Sequence, residues 1–485
     1  MRILYYLRVS FTFISLLSIA FAGQTHTVQS QRLSKDQIQP ATYKTLAQHV
    51  TLLSLVESSV IWQDYLTILQ KGSEAEKLEY IDKIQQEIAR FWHDRNVRLP
   101  YDSLTSSMSE KRQVYALEPA VEDYLSVQNH IRRLLWLNQR HEWPQIQPGG
   151  LLRPGDSHKT ISLISQRLWL LGDLSSRSET QYTYDNTIAM AVARFQQRHG
   201  LKADSVIGPK TLHWINQTPL QRAELLASNF VEKTSYLSDL GERYLLVNIP
   251  AFEMVLVNES QIALSSRVIV GKAYRRTPVM QGQISNIVIN PTWTVPKKLM
   301  RRDILPKVAQ DGHYITDRQF DVFDITGTKV NKTASEWQDI VSTGPFPYRL
   351  VQRPGKINAL GRYKFHFKND LNIYLHDTPD KALFDEDDRA LSSGCIRIEK
   401  VQELAEWFAE NVVIDKRTWH RMQEQGEQTQ WFSLSQTVPV HLVYWNAWVD
   451  ETNLAQFRND IYHLNNIKQT EVANNAATSL QVSSR

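Results

Sequence analysis

The chain has 485 residues, of which 42% are hydrophobic, 10% aromatic and 22% charged, a composition that excludes intrinsic disorder as its overall state. The formal charge of +4 falls to +2 once Arg2 and Arg8 of the first segment are set aside, so no basic field argues for nucleic acid. At roughly 100 to 200 residues per domain the length predicts about three domains, and a single cysteine excludes an intramolecular disulfide.

Residues 1–22 read as a secretory signal. Arg2 and Arg8 supply the positive start, Val9 to Ile19 is almost wholly apolar, and Ala20-Phe21-Ala22 has the small-x-small form of a cleavage site before Gly23. The mature chain is therefore expected outside the cytoplasm. No later stretch approaches the roughly 20 apolar residues that cross a bilayer, so no stable membrane span is expected after cleavage. A polar linker follows at 23–39, then a helical scaffold at 40–150. In it Ile81, Ile84, Ile88 and Phe91 recur at spacings of three and four, as do Val121, Leu125, Ile131 and Leu135 with one polar interruption, giving amphipathic helices with one apolar stripe. Trp143-Pro144, Pro148-Gly149-Gly150 and Pro154-Gly155 are the breakers that close it.

Residues 156–217 predict three short helices. Leu163, Leu168, Leu170 and Leu171 lie in the first, Ala189, Val192 and Phe195 in the second, and Thr211, Leu212 and Ile215 in the third, with turns at Gly200-Leu201 and Asp204 to Gly208. Beyond a linker near Tyr236 to Gly241 the period falls to two. Strands are expected at Tyr244 to Ile249, Phe252 to Asn258, Gln261 to Val270, Ile284 to Asn290, Arg362 to Phe367 and Leu371 to His376, giving a mainly antiparallel β domain over 242–415. A polar, partly helical insertion at 296–354 interrupts it, and an insertion of that length reads as a lid over a site. Glu399 to Val412 returns to helix. Residues 416–468 form an extension packing on the catalytic and scaffold regions, strand-rich at Val438 to Val449 and helical or mixed at Leu454 to Leu464, and 469–485 reads as a disordered tail. The fold class is multidomain α+β.

Cys395 stands in Ser392-Ser393-Gly394-Cys395-Ile396-Arg397, nineteen residues after His376. A lone cysteine in an exported chain has no disulfide to make, which turns attention to its reactivity. A free thiol has a pKa near 8.5, so it needs a base, and an imidazole within reach can take its proton and return it to a leaving amine. Its expected place, just before the helix at Glu399, would leave backbone N–H groups free; those of Gly394 and Cys395 could hold an oxyanion, one such donor being worth about 100- to 1000-fold in rate. His366 is taken as structural. Asp377 alternates to the other face of a strand from His376, so a backbone carbonyl is the expected partner of the imidazole. Tyr363 and Trp293 are candidate pocket residues, and Arg397 is expected to support the loop by a salt bridge within Asp385 to Asp388, or to hold a substrate carboxylate. A metal site would have to be assembled from His366, His376 and Asp377, without a His-Glu-x-x-His cluster.

Tyr374-Leu375-His376-Asp377 together with Ser392-Ser393-Gly394-Cys395-Ile396-Arg397 resembles the signature of the L,D-transpeptidase family (YkuD-type), a histidine upstream of Ser/Thr-His-Gly-Cys-apolar-Asn/Arg. Residues 156–217 resemble the three-helix peptidoglycan-binding domain, through Ala191 to Gln196, Gly200-Leu201, Asp204, Ile207-Gly208 and Thr211-Leu212. The whole is similar to the large multidomain periplasmic members of the family. Ser393 departs from the general motif, where most members carry histidine. The resemblance implies a periplasmic enzyme with Cys395 as nucleophile, His376 as base, and Ser393, Gly394 and Arg397 as motif support. It implies peptidoglycan stem peptides as partners, D-alanine release through a thioester, a 3-to-3 cross-link, no cofactor or metal, and carbapenems as covalent inhibitors. Hydrolysis by an L,D-carboxypeptidase, attachment of a lipoprotein to the wall, and a non-catalytic wall-binding role stay open.

Overall fold

A computed structural model describes residues 40–103, 110–176, 182–425 and 428–465. The expected signal, linker and tail lie outside them. Among the described residues no helix is long and apolar enough to cross a membrane.

The front end consists of helices Pro40–Val56, Val60–Lys71, Glu74–His93, Glu110–Tyr115 and Tyr124–Arg140. Glu74–His93 opens on a capping box. Ser73 Oγ accepts from the Glu76 N–H and Glu76 Oε2 accepts from the Ser73 N–H at 2.7 Å, satisfying amides that a helix start leaves open. Ile81, Ile84, Ile88 and Phe91 are buried, as their spacing predicts. In Tyr124–Arg140 the stripe is rotated from the expected one. Leu125 is 63% exposed and Val121 precedes the helix, while Val127, Ile131, Leu134 and Leu137 are buried. Two apolar rows compete in that sequence, and packing against helix Pro219–Leu237 selects the row with Val127.

Helices Thr160–Leu171, Asn186–Arg198 and Pro209–Asn216 form the three-helix unit, with Leu168, Val192, Phe195 and Ile215 in its core. One apolar core runs continuously from the front end through this unit and Pro219–Leu237. At its centre His199 is fully satisfied: Nδ1–H donates to Phe195 O at 2.6 Å, and Nε2 accepts from the Arg222 guanidinium at 2.8 Å.

The strands are β1 (Tyr244–Asn248), β2 (Glu253–Asn258), β3 (Gln261–Gly271), β4 (Met280–Ile289), β5 (Trp293–Thr294), β6 (Phe320–Phe323), β7 (Arg349–Gln352), β8 (Tyr363–Phe367), β9 (Leu375–His376), β10 (Ala390–Ser392), β11 (Ile396–Ile398), β12 (Gln430–Val443), β13 (Ala447–Val449) and β14 (Ala455–Phe457). Nine of them make one sheet in the order β10-β3-β11-β9-β8-β4-β12-β1-β2, and an added β2–β3 pairing closes it on itself. Most pairings are antiparallel; β1–β12, β3–β10 and β9–β11 are parallel. The β2–β3 hairpin turns through Glu259 and Ser260, both at positive φ, the two-residue form whose twist suits a hairpin. Leu245, Val247, Ile287, Phe365, Leu375, Ile396 and Ile398 fill one face together with Leu404 and Phe408 of helix Val401–Asn411.

Three expectations are refined. The 296–354 insertion, read as polar and partly helical, also carries β6 and β7, which with β5 just before it make a three-stranded sheet, β5-β7-β6, beside a core around Val308, Phe320, Trp337 and Leu350. Strands of two to four residues are too short for alternation to reveal them. The 416–468 extension does not merely pack on the catalytic region, because β12 lies inside the sheet between β4 and β1. A register shift between Ser433 and Val438, with Pro439 beyond it, obscures the strand in sequence. Finally, the stretch Leu454 to Leu464, expected as helical or mixed, holds the short strand β14: β13 and β14 form a hairpin whose Ala447, Val449 and Phe457 enter the core of the helical layer.

Phe457 stacks on His199 at a centroid distance of 5.4 Å and so ties the end of the chain to the three-helix unit. Phe457→Ala is expected to destabilise the protein by about 3–5 kcal/mol, read as a lower midpoint of chemical denaturation. An unchanged midpoint would show that the hairpin is not part of the folded core.

Candidate active site

The parallel pairing of β11 with β9 sets the site. Ile396 lies level with Leu375 and Arg397 with His376, and β8 adds Lys364 opposite His376. Successive side chains on a strand face opposite ways. Leu375, Phe365, Ile396 and Ile398 enter the core, so Lys364, Tyr374, His376, Cys395 and Arg397 share the other face. Cys395 and Tyr374 each sit one residue before their strands, at the level where the Ile396 N–H donates to Tyr374 O at 3.1 Å. The sulfur and the imidazole are therefore on diagonal positions of adjacent strands, a separation of roughly 7 Å at the backbone.

His376 is 5% exposed, and its Nδ1 lies 2.5 Å from the carbonyl oxygen of Asp377. A carbonyl only accepts, so Nδ1 carries the hydrogen and Nε2 keeps the lone pair that a base needs. Burial, reinforced by the Arg397 and Lys364 charges, pushes the imidazole pKa down to about 3, against the pull of the Asp377 and Leu360 carbonyls. The Asp377 carboxylate is turned away. It accepts from the N–H groups of Arg362 and Thr378 at 2.8 and 2.7 Å and pairs with Lys381, which locks the end of β9.

Burial pushes the Cys395 thiol above its ordinary value, while hydrogen bonds from the Tyr374 N–H and phenol and the charges of Lys364 and Arg397 act to lower it. The thiol can donate to Asn372 O, 3.7 Å away. With the thiol shifted up and the imidazole down, the resting pair is neutral at physiological pH. Tyr374 is the residue that sequence reading passed over. It lies within hydrogen-bond reach of the sulfur, accepts a hydrogen bond from Trp293, and carries Lys364 Nζ at 4.1 Å from its ring centroid. Its signal was its place two residues before His376, which puts both on one strand face.

The cysteine does not occupy a strand-to-helix connection, as expected, but the short link between β10 and β11; the helix starts only at Val401. The link is held from within. Ser392 Oγ accepts from the Gly394 N–H at 3.0 Å and donates to Cys395 O at 2.6 Å, and Thr277 Oγ1 donates to Gly394 O at 2.8 Å. The Gly394 N–H is thus committed and is not an oxyanion donor, contrary to expectation. The Cys395 N–H has no acceptor among the described residues. Gly394 adopts φ +118°, a conformation L side chains rarely adopt, and a Cβ there would lie 3.3 Å from Ile373. Thr277 is positioned in turn by Tyr462 of the 416–468 extension: its N–H donates to Tyr462 Oη at 3.1 Å, and the Tyr462 hydroxyl donates to Gly271 O at 2.6 Å.

Ser393 is exposed and accepts from Arg275 at 2.7 Å; Arg275 makes a two-pronged ion pair with Asp303 of the insertion. Arg397 faces Asp380 at 3.8 Å, not the 385–388 acids, of which Asp385 pairs with Arg267 and Asp388 with Lys210. Trp293 reaches the site through Tyr374. Tyr363 does not: it is 1% exposed on the core face, stacked on Trp419, its hydroxyl bonded to Gln402 and Gln423. It lies one residue out of phase with Lys364, the β8 side chain that does face the cysteine. His366 lies against Trp431, and among the described residues no group of three or more His, Cys, Asp and Glu side chains is placed to hold a metal ion.

Residues 242–419 match the family model of the L,D-transpeptidase catalytic domain, and residues 157–215 that of a putative peptidoglycan binding domain. A relative, the "Putative L,D-transpeptidase" of Haemophilus influenzae, is 37% identical over 222 residues, 45% of this chain and 44% of the relative. The match thus spans less than half the length of that relative. Among solved structures, an L,D-transpeptidase of Stackebrandtia nassauensis aligns at 13% identity and TM-score 0.23, covering 60% of this chain and 94% of that one. One of Xylanimonas cellulosilytica aligns at 12% identity and TM-score 0.19, covering 62% and 100%. Likenesses that faint have no weight for the fold. The matches define a protein with a β-rich catalytic domain beside a peptidoglycan-binding-like helical unit. Residues 242–419 are, by that match, similar to the catalytic domain of the L,D-transpeptidases.

A neutral resting pair has a measurable signature. Alkylation of Cys395 by an uncharged reagent is expected to accelerate only as pH rises through and above the ordinary thiol value of about 8.5. Tyr374→Phe, which removes a hydrogen bond to the sulfur, should move the curve further up. A reactive plateau already at about pH 5–7 would reveal a resting thiolate–imidazolium pair instead.

Proposed function

We propose that the protein is an L,D-transpeptidase that forms 3-to-3 peptidoglycan cross-links through a cysteine thioester. The observation that carries this reading is the shared sheet face, with a half-buried thiol diagonal to an imidazole whose Nε2 is left unprotonated. His376 Nε2 takes the Sγ proton as sulfur attacks the carbonyl between the third residue of a tetrapeptide stem and its terminal D-alanine. The Cys395 N–H and the Tyr374 phenol are the donors suited to the oxyanion. When the carbon–nitrogen bond breaks, the imidazolium returns its proton to the departing amine of D-alanine and the thioester remains. The side-chain amine of a third residue on another stem then attacks the thioester; its proton passes through His376 to the sulfur as the carbon–sulfur bond breaks.

The pattern of residues 1–22 supports export to the periplasm, where such stems lie, and the 157–215 unit supports a place at the wall. Carbapenems are expected covalent inhibitors, since their strained ring offers the same thiol an acyl carbon. Purified protein incubated with tetrapeptide muropeptides should give an acyl adduct on Cys395 and cross-linked dimers by mass spectrometry. Cys395→Ala should give neither, and His376→Ala should slow acylation by about 10²- to 10⁴-fold. Tripeptide monomers alone would point to an L,D-carboxypeptidase, and transfer to a protein lysine to lipoprotein attachment. Folded protein that gains no carbapenem adduct would be left with wall binding alone.

A further inference from the structure

Two cations share the cysteine face, and they differ in their partners. Arg397 has Asp380 at 3.8 Å, whereas among the described residues Lys364 Nζ has no carboxylate within ion-pair distance. Its stem is half-buried and its ammonium rests on the Tyr374 ring, 4.1 Å from the centroid. Around it stand the imidazole directly opposite on β9, a second imidazole two residues along β8 at His366, and the thiol, all uncharged at rest. Asp377, the nearest acid in sequence, is consumed on the other side of β9. An ammonium partly withdrawn from water without a counter-ion is unfavourable. This face is therefore net positive beside the sulfur and complementary to an anion.

We propose that Lys364 binds a carboxylate of the donor stem and thereby seats the scissile carbonyl over Cys395 Sγ. This rests on the transpeptidase reading. The terminal carboxylate of D-alanine lies one carbon beyond the scissile nitrogen, so it must come to rest close to the sulfur whenever the carbonyl does. The four-carbon lysine stem extends from β8, with β9 between it and β11, and its ammonium charge acts on the sulfur. A carboxylate on the side chain of the third residue, where that residue carries one, has the same chemistry and a longer reach. Lys364 is in this sense a specificity-determining residue that selects an acidic donor, and it acts on binding and position rather than on proton transfer.

The test compares donors on one protein. Thioester formation at Cys395 is measured with a tetrapeptide ending in D-alanine, with its C-terminal carboxamide, and with the carboxamide of the third-residue side chain. A charge-assisted hydrogen bond corresponds to about a 10- to 100-fold preference for one carboxylate over its amide in the wild type, expressed mainly in KM. In Lys364→Met, which keeps the stem and loses the charge, that preference should collapse to about one, and Lys364→Arg should restore part of it. The donor whose preference collapses identifies which carboxylate is held. A general loss of thiol reactivity or of folding cancels in the ratio, and labelling of Cys395 by an uncharged alkylating reagent checks that the thiol remains accessible. A preference that persists unchanged in Lys364→Met, or no preference in the wild type, overturns the assignment of Lys364 alone. Absence of any thioester in the wild type overturns the transpeptidase reading itself.

Discussion

The pairing of β9 with β11 is the constraint on which the site depends. It is short, two residues against three, and parallel, so it cannot be made by a hairpin and must be closed through the residues between. A slip of one position would turn His376 into the core and Leu375 outward. The core prevents the slip, because Leu375, Ile396 and Ile398 are fully enclosed and would have to exchange with polar or charged side chains. Asp377 adds a second lock by gathering Arg362, Thr378 and Lys381 at the end of β9. The packing on one side of the sheet thus fixes the chemistry on the other.

The same burial decides the resting state. It opposes charge on both members of the pair, raising the thiol and lowering the imidazole, while Tyr374, Lys364 and Arg397 only partly favour the thiolate. A neutral thiol is a weaker nucleophile toward oxidants than a thiolate. Proton transfer from sulfur to nitrogen then becomes part of the reaction with a bound acyl donor, when donors aimed at the developing oxyanion first have something to stabilise.

The site was legible in sequence wherever it rested on local rules, and obscure where it depended on phase or distance. The cysteine, the histidine and the strand that ends at His376 follow from type and spacing. Period-two alternation also placed Asp377 off the imidazole, leaving a carbonyl to hold it. Tyr363 was misplaced because a strand of five residues, burial pattern alternating throughout, does not say which phase faces the core until its partners are known. Gly394 was misread because its N–H is captured by Ser392 two residues earlier, a side-chain contact that spacing leaves open. Arg397 meets Asp380 rather than the 385–388 acids because the turn Lys381–Asp385 carries those away toward Arg267 and Lys210. The helical units were read well at Ile81 to Phe91 and in the three-helix unit, and poorly at Leu125, where two apolar rows overlap and only the neighbouring helix chooses between them.

Tyr462 gives the cysteine link an unusual dependence on chain order. The Thr277 that holds Gly394 O is itself held by a side chain 185 residues later, and β12, in the middle of the closed sheet, begins only at Gln430. A chain emerging from its amino terminus therefore has the thiol and the imidazole long before the sheet can close or the link can set. Contacts of such separation form late. The reactive face therefore cannot take its final form before Tyr462 is in place, which delays the thiol's environment relative to the local helices.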